Sequence, residues 1–203
     1  MSSISKREIN LINRLNTPEK VQRYLNRYIS YDGGPTIKSF RRVLKTKKAH
    51  CLEGALFAAA ILQHHNYSPL ILCMEARDMD HIIFIYKDVN DDRWGAVSQA
   101  EHKEMKGREA KFTTIRDLVM DYYPHYFNMY SKKPDKETDI TLRGYNIVDL
   151  EVFEFKYPDW ILQEEELEIV NSYLYDIPYR WLFPKDENSL FYRCDDKGVI
   201  TNL

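Results

Sequence analysis

The sequence predicts an α+β fold in which a buried helix packs on an antiparallel sheet. The segment CLEGALFAAAILQHH, which starts at Cys51, is apolar on nearly every side, as expected of a central helix. Three short runs rich in Ile, Phe, Tyr and Val follow it: PLILCMEA, HIIFIYK and RWGAV. A polar loop of hairpin length, Asp88–Asp92, joins the last two runs. The expected order is therefore a helix followed by an antiparallel meander.

The N-terminal part of the chain is predicted to be helical. Thr17 and Pro18 supply an N-cap and a first-turn proline, and apolar residues at helical spacing lie on both sides of them. The turn signal at 32–35, Asp-Gly-Gly-Pro, ends this part. We therefore expect one domain, with a helical extension over residues 1–35, a core over about 36–155 and a C-terminal elaboration over 156–203.

Two further elements are predicted after the meander. Thr114 and Asp117 have the spacing of a capping box, which predicts a helix from Ile115. The segment NIVDLEVFEF, residues 146–155, alternates apolar and polar residues and is predicted to form a strand.

Composition excludes several classes of function. The 203 residues contain 29 Lys and Arg against 31 Asp and Glu, so a nucleic-acid partner is not expected. Seven glycines and the absence of GxGxxG or GxxxxGK[ST] argue against a nucleotide-binding loop. The longest apolar run, Ala55–Leu62, is far shorter than the roughly 20 residues that span a bilayer. Because the N-terminus also lacks a signal-peptide pattern, we expect a cytoplasmic protein without a membrane partner. We also expect no cofactor.

Cys51 is the candidate nucleophile. It begins the predicted buried helix, where unpaired amide groups and the helix dipole favour an anion and lower the pKa of a thiol. Lys45, Lys47 and Lys48 add positive charge to the preceding segment. His81 begins the second predicted strand, and a strand start packed against the helix start brings an imidazole to the sulfur. The sequence therefore predicts a dyad of Cys51 and His81.

The same three elements resemble a known family. A cysteine opens an Ala/Leu-rich helix in AHCLEGALFAAAIL, a histidine opens the strand in DMDHIIFIYK, and a tryptophan strand follows in RWGAVSQ. This order resembles the transglutaminase-like branch of the papain-like cysteine-protease superfamily, and in particular bacterial transglutaminase-like proteins of unestablished role. The resemblance covers about 45–99 and implies a papain-like fold, Cys51 as nucleophile, His81 as general base and acid, acyl transfer through a thioester, and no metal.

The third member of the family's triad differs here. The family commonly has an aspartate four residues after the tryptophan, and the residue four after Trp94 is Ser98. If Tyr86 pairs with Arg93 in the hairpin, His81 lies opposite Ser98. If Lys87 pairs with Arg93 instead, His81 lies opposite Gln99, whose amide could orient the ring. The sequence leaves both Ser98 and Gln99 as candidates.

Three more residues are candidates for substrate contact: His50, Trp94 and His102. The predicted substrate is a peptide or a small amide, and hydrolysis is the simplest reaction. An alternative is a protein that keeps the fold for binding, since a neutral third member cannot stabilise an imidazolium as a carboxylate does. A metal site built from Cys51, His50 and His81 is disfavoured, because its spacing matches no compact ligand motif.

Overall fold

A computed structural model describes residues 3–126, 140–156, 159–183, 192–194 and 200–202. The helices are α1 (Lys6–Arg14), α2 (Pro18–Tyr28), α3 (Phe40–Thr46), α4 (Cys51–Leu62), α5 (Ile115–Tyr122), α6 (Leu150–Lys156) and α7 (Glu168–Asp176). The strands are β1 (Ser30–Tyr31), β2 (Lys48–Ala49), β3 (Leu70–Ala76), β4 (His81–Lys87), β5 (Trp94–Val97), β6 (Arg108–Phe112), β7 (Leu142–Asp149), β8 (Arg180–Trp181), β9 (Tyr192–Cys194) and β10 (Ile200–Asn202).

The α+β prediction is confirmed, because a six-stranded antiparallel sheet carries helices on both faces. Its strand order is β6-β5-β4-β3-β7-β8, so the meander β3-β4-β5 lies at its centre as expected. Side chains such as Phe84 and Val97 face the layer that contains α4. Side chains such as Ile83 and Ala96 face α5. Burial on both faces explains why HIIFIY is apolar without alternation.

Helix α4 forms the centre of the molecule, and every residue from Leu52 to Leu62 is buried. The helix packs on β4 on one side and on α2 and α3 on another. Four alanines let these neighbours approach closely, and Leu56, Phe57 and Ile61 fill the space between them. The sequence predicts such a helix from its apolar residues on all sides.

The predicted helix starts are also confirmed. Thr17 caps α2 by accepting a hydrogen bond from the Lys20 N–H at 3.4 Å, with Pro18 in the first turn. Thr114 and Asp117 form the reciprocal bonds of a capping box at the start of α5.

The register of the β4–β5 hairpin differs from both predicted registers. Tyr86 pairs with Gly95 and Lys87 pairs with Trp94, so Arg93 lies outside the ladder, and the same register continued to His81 would place Ala100 opposite it. The reason is the turn: the Asp88 N–H donates to the Arg93 carbonyl at 2.8 Å, and Asp92 adopts a left-handed conformation with φ 56°. The loop between the paired residues, 88–93, is therefore one residue longer than the predicted loop Asp88–Asp92.

The strand predicted over 146–155 is wrong in its second half. Strand β7 ends at Asp149, whose carboxylate accepts the Glu151 N–H at 2.9 Å and so initiates α6. Leu150 and Phe153 are buried, whereas Val152 is half exposed. Burial at i and i+3 is the helical pattern, and it overrides the alternation that predicted a strand.

Of the predicted C-terminal elaboration, 156–203, the structure describes α7, β8 and two short strands, β9 and β10, that pair with each other. Helix α7 contributes Val170 and Leu174 to the layer around α4. Within the described ranges, no helix combines the length and apolar character needed to cross a bilayer.

Candidate active site

A cavity of about 540 Å³ lies where the start of α4 meets the start of β4. Cys51 and His81 both line it, so the structure brings the two predicted dyad residues to one cavity. His50 and His102 also line it. The remaining wall comes from β1 and the turn after it, from the loop before β4, from the segment after β5, and from His125 and Tyr126 after α5.

Cys51 is the first residue of α4 and is partly exposed. Burial of the thiol raises its pKa above the ordinary value, and the negative charge of Asp80 acts in the same direction. The backbone N–H groups of Ile82, Leu52 and Cys51 itself lower the pKa, but by less. The net direction is opposite to the one predicted, so the thiol is protonated at neutral pH in the resting protein.

The lysines before α4 do not offset this burial, because each has a partner elsewhere. Lys45 forms an ion pair with Glu164, and Lys47 donates to the Tyr24 hydroxyl at 3.0 Å. The Lys48 ammonium lies 4.0 Å from the Asp32 carboxylate. Their spacing in the sequence does not show where their side chains point, and burial of the thiol outweighs the effects that lower its pKa.

The His81 ring is held through its Nε2 atom. This nitrogen lies 2.8 Å from the Met105 carbonyl oxygen and 2.9 Å from Ser98 Oγ. The Ser98 hydroxyl donates its own proton to the Met105 carbonyl at 3.0 Å. Since a carbonyl only accepts, Nε2 must carry the proton, and Nδ1 is the unprotonated nitrogen of the neutral ring. We call His81, Ser98 and the Met105 carbonyl the imidazole cluster.

Burial lowers the pKa of His81 to about 4, and the positive charge of Arg108 adds to this effect. The hydrogen bond to Met105 raises the pKa, but by less. No carboxylate among the described residues is hydrogen-bonded to the ring. The ring is therefore neutral at pH 7, and the resting site contains a thiol and an imidazole in place of an ion pair.

Ser98 and Gln99 point to opposite faces of the sheet. Ser98 is fully buried on the α5 face, where it contacts His81. Gln99 lies on the α4 face, where its amide donates to the Ile29 carbonyl at 2.7 Å. It also lies close to Gly54 of α4, where an added Cβ would collide with the Gln99 Cβ. The structure thus brings Ser98 to the ring and places Gln99 in the helix packing.

The three residues predicted to contact substrate are separated by the fold. His50 and His102 line the cavity, although a short hydrogen bond between His50 Nε2 and the Thr36 carbonyl fixes the His50 ring. Trp94 lies at the far end of β5, where its ring packs against the Lys87 ammonium at 5.4 Å. It is not among the residues that line the cavity.

A second buried polar cluster adjoins Cys51. The Glu53 carboxylate is completely buried, and Lys38, 6% exposed, lies 3.2 Å from it. The carboxylate also accepts the Lys38 N–H at 2.7 Å, the Thr36 hydroxyl at 2.9 Å and the His50 N–H at 3.0 Å. We call this group the carboxylate cluster. It fixes the segment before α3 to the first turn of α4, a salt-bridge and capping role that the first-turn position of Glu53 suggests.

The sequence did not reveal several contributors to the cavity, and for two of them the reason is identifiable. The Met105 carbonyl belongs to a 3₁₀ turn, Lys103–Met105, and a backbone oxygen has no signature in the sequence. Tyr31 lines the cavity from β1, a two-residue strand with no periodicity to detect. The Asp-Gly-Gly-Pro turn signal just after Tyr31 is the one sequence feature that marks this part of the cavity wall.

No family model and no curated protein matches this chain. Within the part of the chain that the structure describes, no group of three or more His, Cys, Asp or Glu side chains is arranged to hold a metal ion. Cys51, His50 and His81 share a cavity, but His50 Nε2 is already bonded to a backbone carbonyl.

Proposed function

We propose that this protein is a cysteine-dependent hydrolase of amide bonds, of the transglutaminase-like branch of the papain-like superfamily. One observation carries the proposal. The Met105 carbonyl holds the proton on Nε2 of His81, which leaves Nδ1 as the unprotonated nitrogen of a ring that lines the same cavity as Cys51. A thiol and a positioned unprotonated imidazole are the two groups that covalent acyl transfer requires.

The proposed reaction starts from the neutral pair. The Cys51 sulfur attacks the carbonyl carbon of the amide, its proton moves to Nδ1 of His81, and the carbonyl electron pair moves to oxygen. When the tetrahedral intermediate collapses, the C–N bond breaks and the amine leaves with the proton from Nδ1. Water then attacks the thioester, aided by the same nitrogen, and the acid is released with the thiol restored.

The charge of the cavity favours neutral or cationic amides. Four carboxylates line it, Asp78, Asp80, Glu101 and Glu104, and none of the described lining residues is Lys or Arg. A positive substrate is attracted to such walls, and it would also offset the negative charge that raises the pKa of Cys51. We expect capped peptides with a lysine beside the scissile amide to be hydrolysed faster than the same peptides with a glutamate.

The test is acylation by p-nitrophenyl acetate followed by peptide mapping. The wild-type protein should release p-nitrophenolate in a burst and carry an acetyl group on Cys51. Cys51→Ala and His81→Gln should lose the burst. Cys73→Ala is the matched control, because Cys73 is a buried thiol in β3 outside the cavity. An equal rate in the wild type and Cys51→Ala would contradict the proposal.

Binding without catalysis is the second candidate. Two observations favour it: the raised pKa of Cys51, and the lack of a carboxylate on the His81 ring among the described residues. Under this alternative, Cys51→Ala keeps the partner and the cellular effect, whereas an enzyme loses its effect together with turnover.

A further inference from the structure

Tyr31 is a cavity residue that the proposed dyad does not use. It belongs to β1, which pairs in parallel with β2, the strand that leads into Cys51. The Ser30 N–H donates to the Lys47 carbonyl at 2.9 Å, and the Asp32 N–H donates to the Ala49 carbonyl at 3.1 Å. These two bonds lie on either side of Tyr31, so its backbone is fixed relative to the start of α4.

The Tyr31 hydroxyl is available as a donor. The side chain is partly buried in the cavity wall, and the structure records no hydrogen-bond partner for its hydroxyl among the residues it describes. Burial raises the pKa of this phenol above its ordinary value, and negative charge on Cys51, when its thiol is ionised, and on Glu101 raises it further. The phenol therefore stays protonated at neutral pH and can donate a hydrogen bond, but it cannot serve as a base.

The proposed reaction needs such a donor. When the sulfur attacks, negative charge develops on the substrate oxygen, and a hydrogen-bond donor placed beforehand stabilises it without reorganisation. The backbone N–H groups at the start of α4 are one source, since the first turn of a helix leaves them without intrahelical partners. The imidazole cluster offers none, because its only free ring nitrogen is the base.

We propose that the Tyr31 phenol is a catalytic residue that donates a hydrogen bond to the oxyanion of the tetrahedral intermediate. This inference rests on the proposed acyl-transfer function. The phenol keeps its proton throughout: its O–H bonds to the oxygen as the C–S bond forms and releases it as the carbonyl reforms. Loss of one such donor typically lowers the rate of the acyl step by about 100-fold to 1,000-fold.

The test compares two reactions of the same thiol in Tyr31→Phe. Acylation by p-nitrophenyl acetate passes through an oxyanion, whereas alkylation by iodoacetamide displaces iodide at a saturated carbon and forms none. We expect the variant to be acylated about 100-fold more slowly than the wild type. The rate of alkylation of Cys51 should stay within about twofold of the wild-type rate, which would show that the site is still folded. Tyr28→Phe is the matched control, because Tyr28 is half exposed at the end of α2 and should leave both rates unchanged.

The other outcomes separate the inference from the proposed function. If both rates in Tyr31→Phe equal those of the wild type, the phenol does not stabilise the oxyanion. If both rates fall together, Tyr31 acts on the sulfur or on folding, and the oxyanion role is overturned. If the wild-type protein is not acylated at Cys51 at all, the proposed function fails and the inference fails with it.

Discussion

The carboxylate cluster and the imidazole cluster differ in the charge of the groups that hold them together. In the carboxylate cluster, an ion pair between Lys38 and Glu53 is buried and surrounded by further hydrogen bonds. In the imidazole cluster, His81 is held by a hydroxyl and a backbone carbonyl, and it is uncharged at neutral pH. Charged groups therefore hold the helix start that carries the Cys51 sulfur, whereas neutral groups orient the His81 ring.

This difference has a chemical cost and a chemical benefit. A neutral imidazole whose pKa is about 4 is ready to accept a proton at any pH above that value. The imidazolium that forms during attack, however, has no adjacent carboxylate among the described residues. Under the proposed function, the His81 base is thus available over a wide pH range but weak, and the donors around the substrate oxygen become correspondingly important.

The largest expected change in the free energy of unfolding comes from breaking the carboxylate cluster. Lys38→Met leaves the Glu53 carboxylate buried without its counter-ion, which should lower the free energy of unfolding by about 3–5 kcal/mol. Urea unfolding at pH 7 measures it. Lys45→Met is the matched control, because its pair with Glu164 is about half exposed and should contribute at most about 1 kcal/mol. Equal losses in the two variants would show that the buried pair has no special role.

The next effect is a pH dependence of the free energy of unfolding that comes from His81 of the imidazole cluster. The folded pKa of His81, about 4, is below the unfolded value of 6.5, so the unfolded chain binds a proton more readily between these values. Stability from this group is complete above pH 6.5 and falls as the pH drops to 4, by about 3 kcal/mol in total. Urea unfolding from pH 7 to 4 should show this loss in the wild type, and His81→Gln should lack it. Parallel curves would contradict burial of a neutral ring.

A smaller effect separates the neighbours Ser98 and Gln99. Gln99→Ala removes the hydrogen bond to the Ile29 carbonyl and the packing against Gly54, which should cost about 1–3 kcal/mol of unfolding free energy. The acylation rate per folded molecule should not change. A loss of acylation in Gln99→Ala without a loss of stability would assign Gln99 the orienting role that we give to Ser98.

The smallest effect is expected for Ser98→Ala, and it concerns the acylation rate. Because the Met105 carbonyl still holds Nε2, we expect the acylation rate to fall by about tenfold, far less than the 10,000-fold that loss of a triad aspartate produces. Ser98→Asp should raise the pKa of His81 from about 4 and shift the acid limb of the acylation rate to higher pH. An unmoved acid limb in Ser98→Asp would show that position 98 does not orient the ring.

The sequence predicted the order of elements better than it predicted the contacts at the site. The buried helix, the meander and the caps at Thr17 and Thr114 follow from local patterns that the tertiary structure preserves. The hairpin register does not, because it depends on the conformation of Asp92 in the turn. Ser98 reaches His81 although the register is neither of those predicted, since the two side chains share a face and lie diagonally.

The remaining errors have physical causes of the same kind. The direction of the Cys51 pKa depends on burial and on where lysine side chains point, and neither is encoded in spacing. The end of β7 depends on a hydrogen bond from the Glu151 N–H to Asp149, which competes with the alternating pattern around it. Gly54 gave a usable signal: a glycine in an alanine-rich buried helix marks a close approach, here by Gln99.

Helix α4 has no face open to solvent beyond its first residue. The proposed nucleophile on such a helix cannot shift or fray without opening the core, so the sulfur is a fixed reference point. Adaptation to new substrates then falls to the walls, Asp78–Asp80 and Glu101–Met105, which can exchange residues while the reactive atom stays in place. An inhibitor designed for this protein would accordingly gain affinity from the sulfur and selectivity from those two segments.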